Sequence, residues 1–286
     1  MPVLRVRQPK VPPEVISRLA ECDVIVCGDS RAARQIDPSV IFEMTGLKTI
    51  NIATTAWDIY SVSKSLKEAG ISGKTIVIST SFFQINDGAV DNGYVSLESF
   101  QDISFTDKMK LYRRRPDNLL LMQASLFGDF VTRRSLAMNF GDVQREINVE
   151  FENESCKTFN IDEDWLRRHA WYKSPDIDGI KRKLMEQALE NLSSLSDCQI
   201  IIYNGPVSQA FMDLAKANGV EDMERSFDSF MIGASKKYGL RCYSFLDDVT
   251  LRDANLYYDP QHLCGEGVKR FSGEIGDILM SLPEGE

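Results

Sequence analysis

Four consecutive apolar residues, Val24-Ile25-Val26-Cys27, stop abruptly on Gly28-Asp29-Ser30. A run that is apolar on every side cannot form a half-solvated strand, so it predicts a strand covered on both faces, as in the middle of a parallel sheet. Gly28 and Asp29 are turn residues, and Arg31-Ala32-Ala33-Arg34 behind them are good helix formers. A strand, a tight turn and a helix in that order put the Ser30 hydroxyl at the carboxyl edge of the sheet, beside helix N–H groups able to hold an oxyanion. Taken alone, Gly-Asp-Ser fits a serine that merely caps a helix equally well.

The same grammar recurs along the chain. A short helix over Glu14 to Glu21 leads into the first strand. Pro38 opens a helix that Gly46 ends, and a strand Lys48 to Ile52, a helix Ala56 to Ala69 and a strand Thr75 to Thr80 follow. The pattern resumes with a strand at Gln199 to Tyr203, helices from about Val207 to Asn218 and Ser226 to Tyr238, and a strand at Arg241 to Leu246. The closing helix, about Glu266 to Leu282, carries Val268, Phe271, Ile275, Ile278 and Leu279 at helical spacing. Strands alternating with helices predict a mostly parallel sheet with helices on both faces, a three-layer α/β architecture. From Phe82 to about Ser174 the alternation breaks. That length is excessive for a crossover and too apolar for disorder. Residues 1–286 therefore read as one α/β domain with an inserted, mostly helical cap at about 83–174, leaving from the edge where Ser30 sits. Within it, Leu97 to Arg115, Asp117 to Ser135 and Glu163 to Tyr172 look helical, and Glu146 to Phe151 alternates like a strand.

A serine nucleophile needs an imidazole to take its proton and a carboxylate to orient the imidazole. The chain has two histidines, and His262 lies three residues after Asp259 in a loop containing Pro260, just before the closing helix. One turn of that loop can present both side chains. His169, in an Arg-rich stretch, reads as a packing or surface residue, and Arg113 to Arg115 as a solvated helix end. Arg31 is a candidate for recognising a phosphate or carboxylate beside Ser30, against ordinary helix salt bridges for both Arg31 and Arg34. Asn204, before Gly205 and Pro206, is a turn residue at the same sheet edge and a candidate for contact with substrate. Asp247 and Asp248 fit capping and turn roles better than metal binding. No Gly-x-Gly-x-x-Gly and no P-loop motif occurs, so neither a dinucleotide nor a P-loop site is expected; with no histidine near Asp247 and Asp248, no cofactor and no metal are expected.

Gly28-Asp29-Ser30 and Asp259-x-x-His262 together resemble the first and last blocks of the SGNH (GDSL) hydrolase superfamily. Asn51-Ile52-Ala53 is similar to the second block, usually Asn-x-Gly, with Ala53 in place of glycine. The third block, usually Gly-x-Asn-Asp, has no direct counterpart; Gln84 and Asn86 are the candidates for its asparagine. Val77 to Phe83, with Asp259-x-x-His262-Leu263 and the glycines that follow, looks like the branch holding the D-alanyl transfer protein of teichoic acid synthesis and the acetyltransferase-like proteins of exopolysaccharide modification. The resemblance implies a flavodoxin-like sheet and acyl transfer through an ester on Ser30. His262 is then base and acid, Asp259 orients it, and the N–H groups of Ser30 and Ala53 form the oxyanion hole. The implied substrate is an acylated carbohydrate or surface glycan, with water or a sugar hydroxyl as acceptor. An acyltransferase would also imply a membrane-bound acyl donor partner. A noncatalytic carbohydrate-binding or scaffold protein of polysaccharide biosynthesis is the alternative.

Composition narrows the partners. At 286 residues, 43% hydrophobic, the chain can bury a substantial core, and a net charge of -9 disfavours nucleic acid. Six cysteines show no Cys-x-x-Cys spacing, and several fall in apolar strand-like runs, where they act as small hydrophobes. This favours a reducing compartment and disfavours a structural zinc. No stretch approaches the ~20 apolar residues of a membrane span. The expectation is a cytoplasmic protein, or else an exported domain of a longer or tethered one.

Overall fold

The structure, a computed structural model, describes residues 13–53, 59–85, 102–114, 156 and 179–283. In chain order the first elements are α1 (Pro13–Ala20), β1 (Val24–Cys27), α2 (Ser30–Gln35), α3 (Pro38–Thr45), β2 (Thr49–Asn51), α4 (Ile59–Glu68) and β3 (Thr75–Thr80). After them come α5 (Phe105–Arg114), α6 (Ile180–Ser193), β4 (Gln199–Asn204), α7 (Gln209–Ala217), α8 (Glu221–Lys237), β5 (Arg241–Ser244) and α9 (Gly265–Met280). The five strands form one sheet in the order β2-β1-β3-β4-β5, and every pairing is parallel.

Successive side chains of a strand point to opposite faces, and the two faces of this sheet carry separate cores. Ile25, Cys27, Ile76, Ile78, Ile200 and Ile202 pack with Leu19, Leu66, Leu189, Phe211 and Phe227, from α1, α4, α6, α7 and α8. Val24, Val26, Val77, Ile201 and Tyr203 pack on the other face with Ala32, Ile41, Phe271 and Ile275, from α2, α3 and α9. All four residues of β1 are fully buried, each aliphatic side chain contributing about 1.5–3 kcal/mol. The three-layer α/β fold expected from the alternation is the fold observed.

The chain leaves β1 across one face to reach β2, then crosses back over β1 through α4 to β3. This order has a switch point between β1 and β3, where ligands of open α/β sheets bind, and β1 ends there on Ser30. One expectation needs correction: β3, not β1, is the central strand. Burial on both faces separates an inner strand from an edge strand, but all inner strands share it. Two helices also differ from expectation. α8 starts at Glu221, where Glu221, Asp222 and Glu224 fill the first turn and complement its dipole. α6 is an additional helix whose Leu184, Met185, Ala188, Leu189 and Leu192 line the core.

Of the insertion expected at about 83–174, residues 83–85, 102–114 (with α5) and 156 are described. The stretches Asp117 to Ser135, Glu146 to Phe151 and Glu163 to Tyr172, and with them Asn86 and His169, lie outside the described residues. Cys156 forms a disulfide with Cys264, Cα to Cα 5.3 Å. The expectation of free cysteines is therefore corrected for these two, whose partners are 108 residues apart and share no local motif. Cys22, Cys27, Cys198 and Cys242 are free. Among the described residues no helix is long and apolar enough to cross a membrane.

Candidate active site

The turn after β1 is built from backbone geometry first. Gly28 has φ +134°, and a Cβ there would lie 2.8 Å from Ser79 Cβ and 3.0 Å from the Ser79 backbone N and O. Only glycine lets β1 turn so close to β3. Asp29 then caps α2, accepting from the Arg31 N–H at 3.0 Å. Its carboxylate is 1% exposed and also accepts from Ser79 Oγ at 3.2 Å, Gln84 Nε2 at 3.4 Å and Ser81 Oγ. Read from sequence as a turn residue, Asp29 in fact ties the nucleophile turn to the end of β3. An aspartate immediately before a helix is the residue type of an N-cap, but its partners on β3 give no local signal.

The second half of the site comes from the loop before α9. Tyr257 and Leu263 form an antiparallel bridge, and the Tyr258 N–H donates to the His262 carbonyl at 3.2 Å, which narrows the loop to a hairpin. Asp259 Oδ1 accepts from the N–H groups of Gln261 and His262, both at 2.9 Å. This leaves Oδ2 for the imidazole, where His262 Nδ1 stands at 2.8 Å. His262 Nε2 lies 2.9 Å from Ser30 Oγ. With the proton on Nδ1, His262 donates to Asp259 and accepts from the Ser30 hydroxyl. Burial alone would raise the Asp259 carboxyl. The hydrogen bond and charge of His262, with the two backbone N–H groups, outweigh it and hold the pKa below the usual carboxylate range. The Tyr258 ring stacks on the imidazole, centroids 5.5 Å apart and planes 16° apart, and the Arg34 guanidinium lies 5.3 Å from the Tyr258 centroid.

The remaining candidates sit around this trio in other ways. Ala53 follows β2 at the same sheet edge, but its N–H donates to Asn51 Oδ1 at 3.0 Å. The N–H expected to serve an oxyanion is thus engaged within the chain in this structure. Asn51 is held there because its Nδ2 donates to the Ala32 and Ile36 carbonyls at 2.9 and 3.0 Å, across the end of α2. Arg31 and Asn204, expected to touch substrate, are each 2% exposed. Arg31 Nη1 donates to Asn204 Oδ1 at 3.2 Å, Asn204 Nδ2 donates to Asp228 Oδ1 at 2.7 Å, and Ser244 Oγ donates to Asp228 Oδ2. The two residues are brought together in a buried network that runs from α2 through β4 to α8 and β5. Desolvation raises the Asp228 carboxyl despite the bonds from Ser244 and Asn204. Gln84 turns its amide to Asp29, and its buried Oε1 has no hydrogen-bond partner among the described residues. Asp248 caps a turn, accepting from the Thr250 N–H at 2.9 Å, and Asp247 pairs with Arg225 and Arg252. Among the described residues no cluster could hold a metal ion.

No family model matches the sequence, and no curated protein matches it. A solved structure does. The extracellular lipase from Streptomyces rimosus aligns over 88% of this chain and 99% of its own, at 9% identity and a TM-score of 0.41.

Proposed function

We propose that the chain is a serine-dependent acyl-ester hydrolase or O-acyltransferase of SGNH type that forms an acyl-enzyme on Ser30. What supports this reading is one observation, the continuous relay Ser30 Oγ, His262 Nε2, His262 Nδ1, Asp259 Oδ2 with steps of 2.9 and 2.8 Å. Such spacing lets the imidazole remove the hydroxyl proton as Oγ attacks an ester carbonyl. The imidazolium, steadied by the ionised Asp259, then protonates the leaving alkoxide. Water or a sugar hydroxyl next gives its proton to His262 and attacks the ester carbonyl; the bond to Ser30 Oγ breaks and Oγ takes the proton from His262, which frees Ser30. The Ser30 N–H and, once released from Asn51, the Ala53 N–H serve the oxyanion. Arg31 and Asn204 act by holding the turn rather than the substrate. The substrate is an acylated carbohydrate or surface glycan, and Cys156 is bonded to Cys264, two residues beyond His262. A disulfide favours an oxidising compartment, hence the exported alternative over the cytoplasmic one.

A noncatalytic glycan-binding protein is the second reading, favoured by the engagement of Ala53 N–H with Asn51 and of Gln84 with Asp29. Incubation with a small aryl acetate followed by peptide mass mapping separates the two. An acetyl adduct on Ser30, absent from Ser30→Ala, is the expected result. No adduct with a range of aryl esters would overturn the enzyme reading in favour of the binding protein.

A further inference from the structure

Ser30 and His262 are separated by 232 positions, so their 2.9 Å contact depends on whatever docks the Asp259 to His262 loop against α2. Gln35 is the last residue of α2, five positions after Ser30, and is fully buried. Its Nε2 donates to the Gln261 carbonyl at 3.0 Å and approaches the Pro206 carbonyl at 3.4 Å. Gln261 immediately precedes His262, and the Pro206 segment is itself tied to the loop by the Ser208 N–H, which donates to the Pro260 carbonyl at 3.1 Å.

The amide can point only one way. Both neighbours of Nε2 are carbonyl oxygens, which accept and do not donate, so a flipped amide would set three acceptors against one another. Oε1 must then face the other side, where it is buried with no hydrogen-bond partner among the described residues. Gly205 makes that possible, because a Cβ at this position would lie 2.5 Å from Gln35 Oε1. An unsatisfied buried acceptor is a cost that a residue serving packing alone would not need to carry.

We infer that Gln35 is a positioning residue that sets the distance between the nucleophile and its base, by joining the far end of the nucleophile helix to the backbone beside His262. The inference rests on the acyl-transfer reading above. It gives one helix two duties: its first residue carries the nucleophile and its last holds the base in reach.

The test uses Gln35→Met, which keeps length and bulk but has no donor, and Gly205→Ala, which displaces the amide while leaving Gln35 in place. Acylation of Ser30 by the aryl acetate should slow by about 10–100-fold in both, with the concentration dependence within about twofold of the parent, since sub-ångström to 1 Å misplacement costs up to 100-fold. The double variant should lose no more than either single one. The downfield Nδ1 proton resonance of His262 should persist in both variants, because the Asp259 to His262 bond lies inside the loop and does not involve Gln35. Parental acylation rates in the folded variants would overturn the inference while leaving the acyl-transfer reading intact. Loss of the His262 resonance in both variants would also overturn it, by making Gln35 a structural support of the loop. Should Gln35→Met not fold, Gly205→Ala decides alone by the same rate and resonance. A parent protein that is never acylated would overturn both readings at once.

Discussion

Asp259 divides its two oxygens between two tasks. Oδ1 accepts two loop N–H groups and shapes the hairpin, while Oδ2 accepts the imidazole Nδ1–H. Asp259→Asn should separate them. The amide oxygen can still accept from Gln261 and His262, but an NH2 group facing Nδ1 drives the ring proton to Nε2, where it points at Ser30 and can no longer receive the hydroxyl proton. Turnover of an aryl ester is expected to fall by roughly 10³–10⁴-fold with the fold retained. The same substitution has a pH signature. The folded pKa of Asp259 lies below its ordinary value of 3.8, so between the two the unfolded chain holds a proton that the folded one does not. That contribution to stability is complete above the ordinary value and is lost as pH falls through the lowered one. Thermal unfolding across this acid window should therefore be less steep in pH for Asp259→Asn than for the parent. Equal slopes would count against an ionised, hydrogen-bonded Asp259.

The β1 to α2 unit is where local sequence and long-range structure meet. Gly28→Ala should strain φ +134° and push a methyl into Ser79, a loss of at least about 1–3 kcal/mol for the backbone alone. It should also disturb the Asp29 bonds to Ser79 and Ser81 that hold the turn. Chemical unfolding of the variant reads the loss directly, and a stability equal to the parent's would contradict the close approach. The strand itself was legible because apolarity on both faces needs no partner to be seen, and so were the helices with a full period of apolar residues, such as α9. The Asp259 and His262 pair was legible because both members lie in one loop. Asp29, Asn51 and Gln35 were not. Each is a polar residue whose meaning lies in a carbonyl, N–H or hydroxyl group brought near by the fold, Asp29 across 50 residues to Ser79 and Gln35 across 226 to Gln261. Arg31 and Asn204 read from sequence as substrate contacts because position marks a sheet edge but not how deeply a side chain is buried there.

On the scale of the molecule, two chain segments far apart in sequence converge on the carboxyl edge of the sheet, and one covalent bond joins a third to them. Cys264 is 2% exposed and precedes α9, two residues after His262, so the Cys156 to Cys264 bond attaches the middle of the chain beside the candidate base. With a sequence separation of 108, loop-closure entropy in the unfolded chain assigns the bond about 4–5 kcal/mol. Cys156→Ser should accordingly lower the unfolding temperature, and reduction should do the same to the parent. Thiol titration gives the sharper test. The four free cysteines divide by burial: Cys27 is fully buried with its thiol pushed far up by desolvation, and Cys242 is pushed up to about 11. Cys22 and Cys198 are half-buried and also raised, with desolvation the largest cause in each. The native protein should thus react slowly, the denatured unreduced chain should yield the four thiols of Cys22, Cys27, Cys198 and Cys242, and the reduced chain all six. Peptide mapping without reductant should recover residues 156 and 264 in one linked species. Six thiols before reduction, in protein purified under non-reducing conditions, would remove the staple and return the chain to the reducing compartment its cysteine spacing suggests.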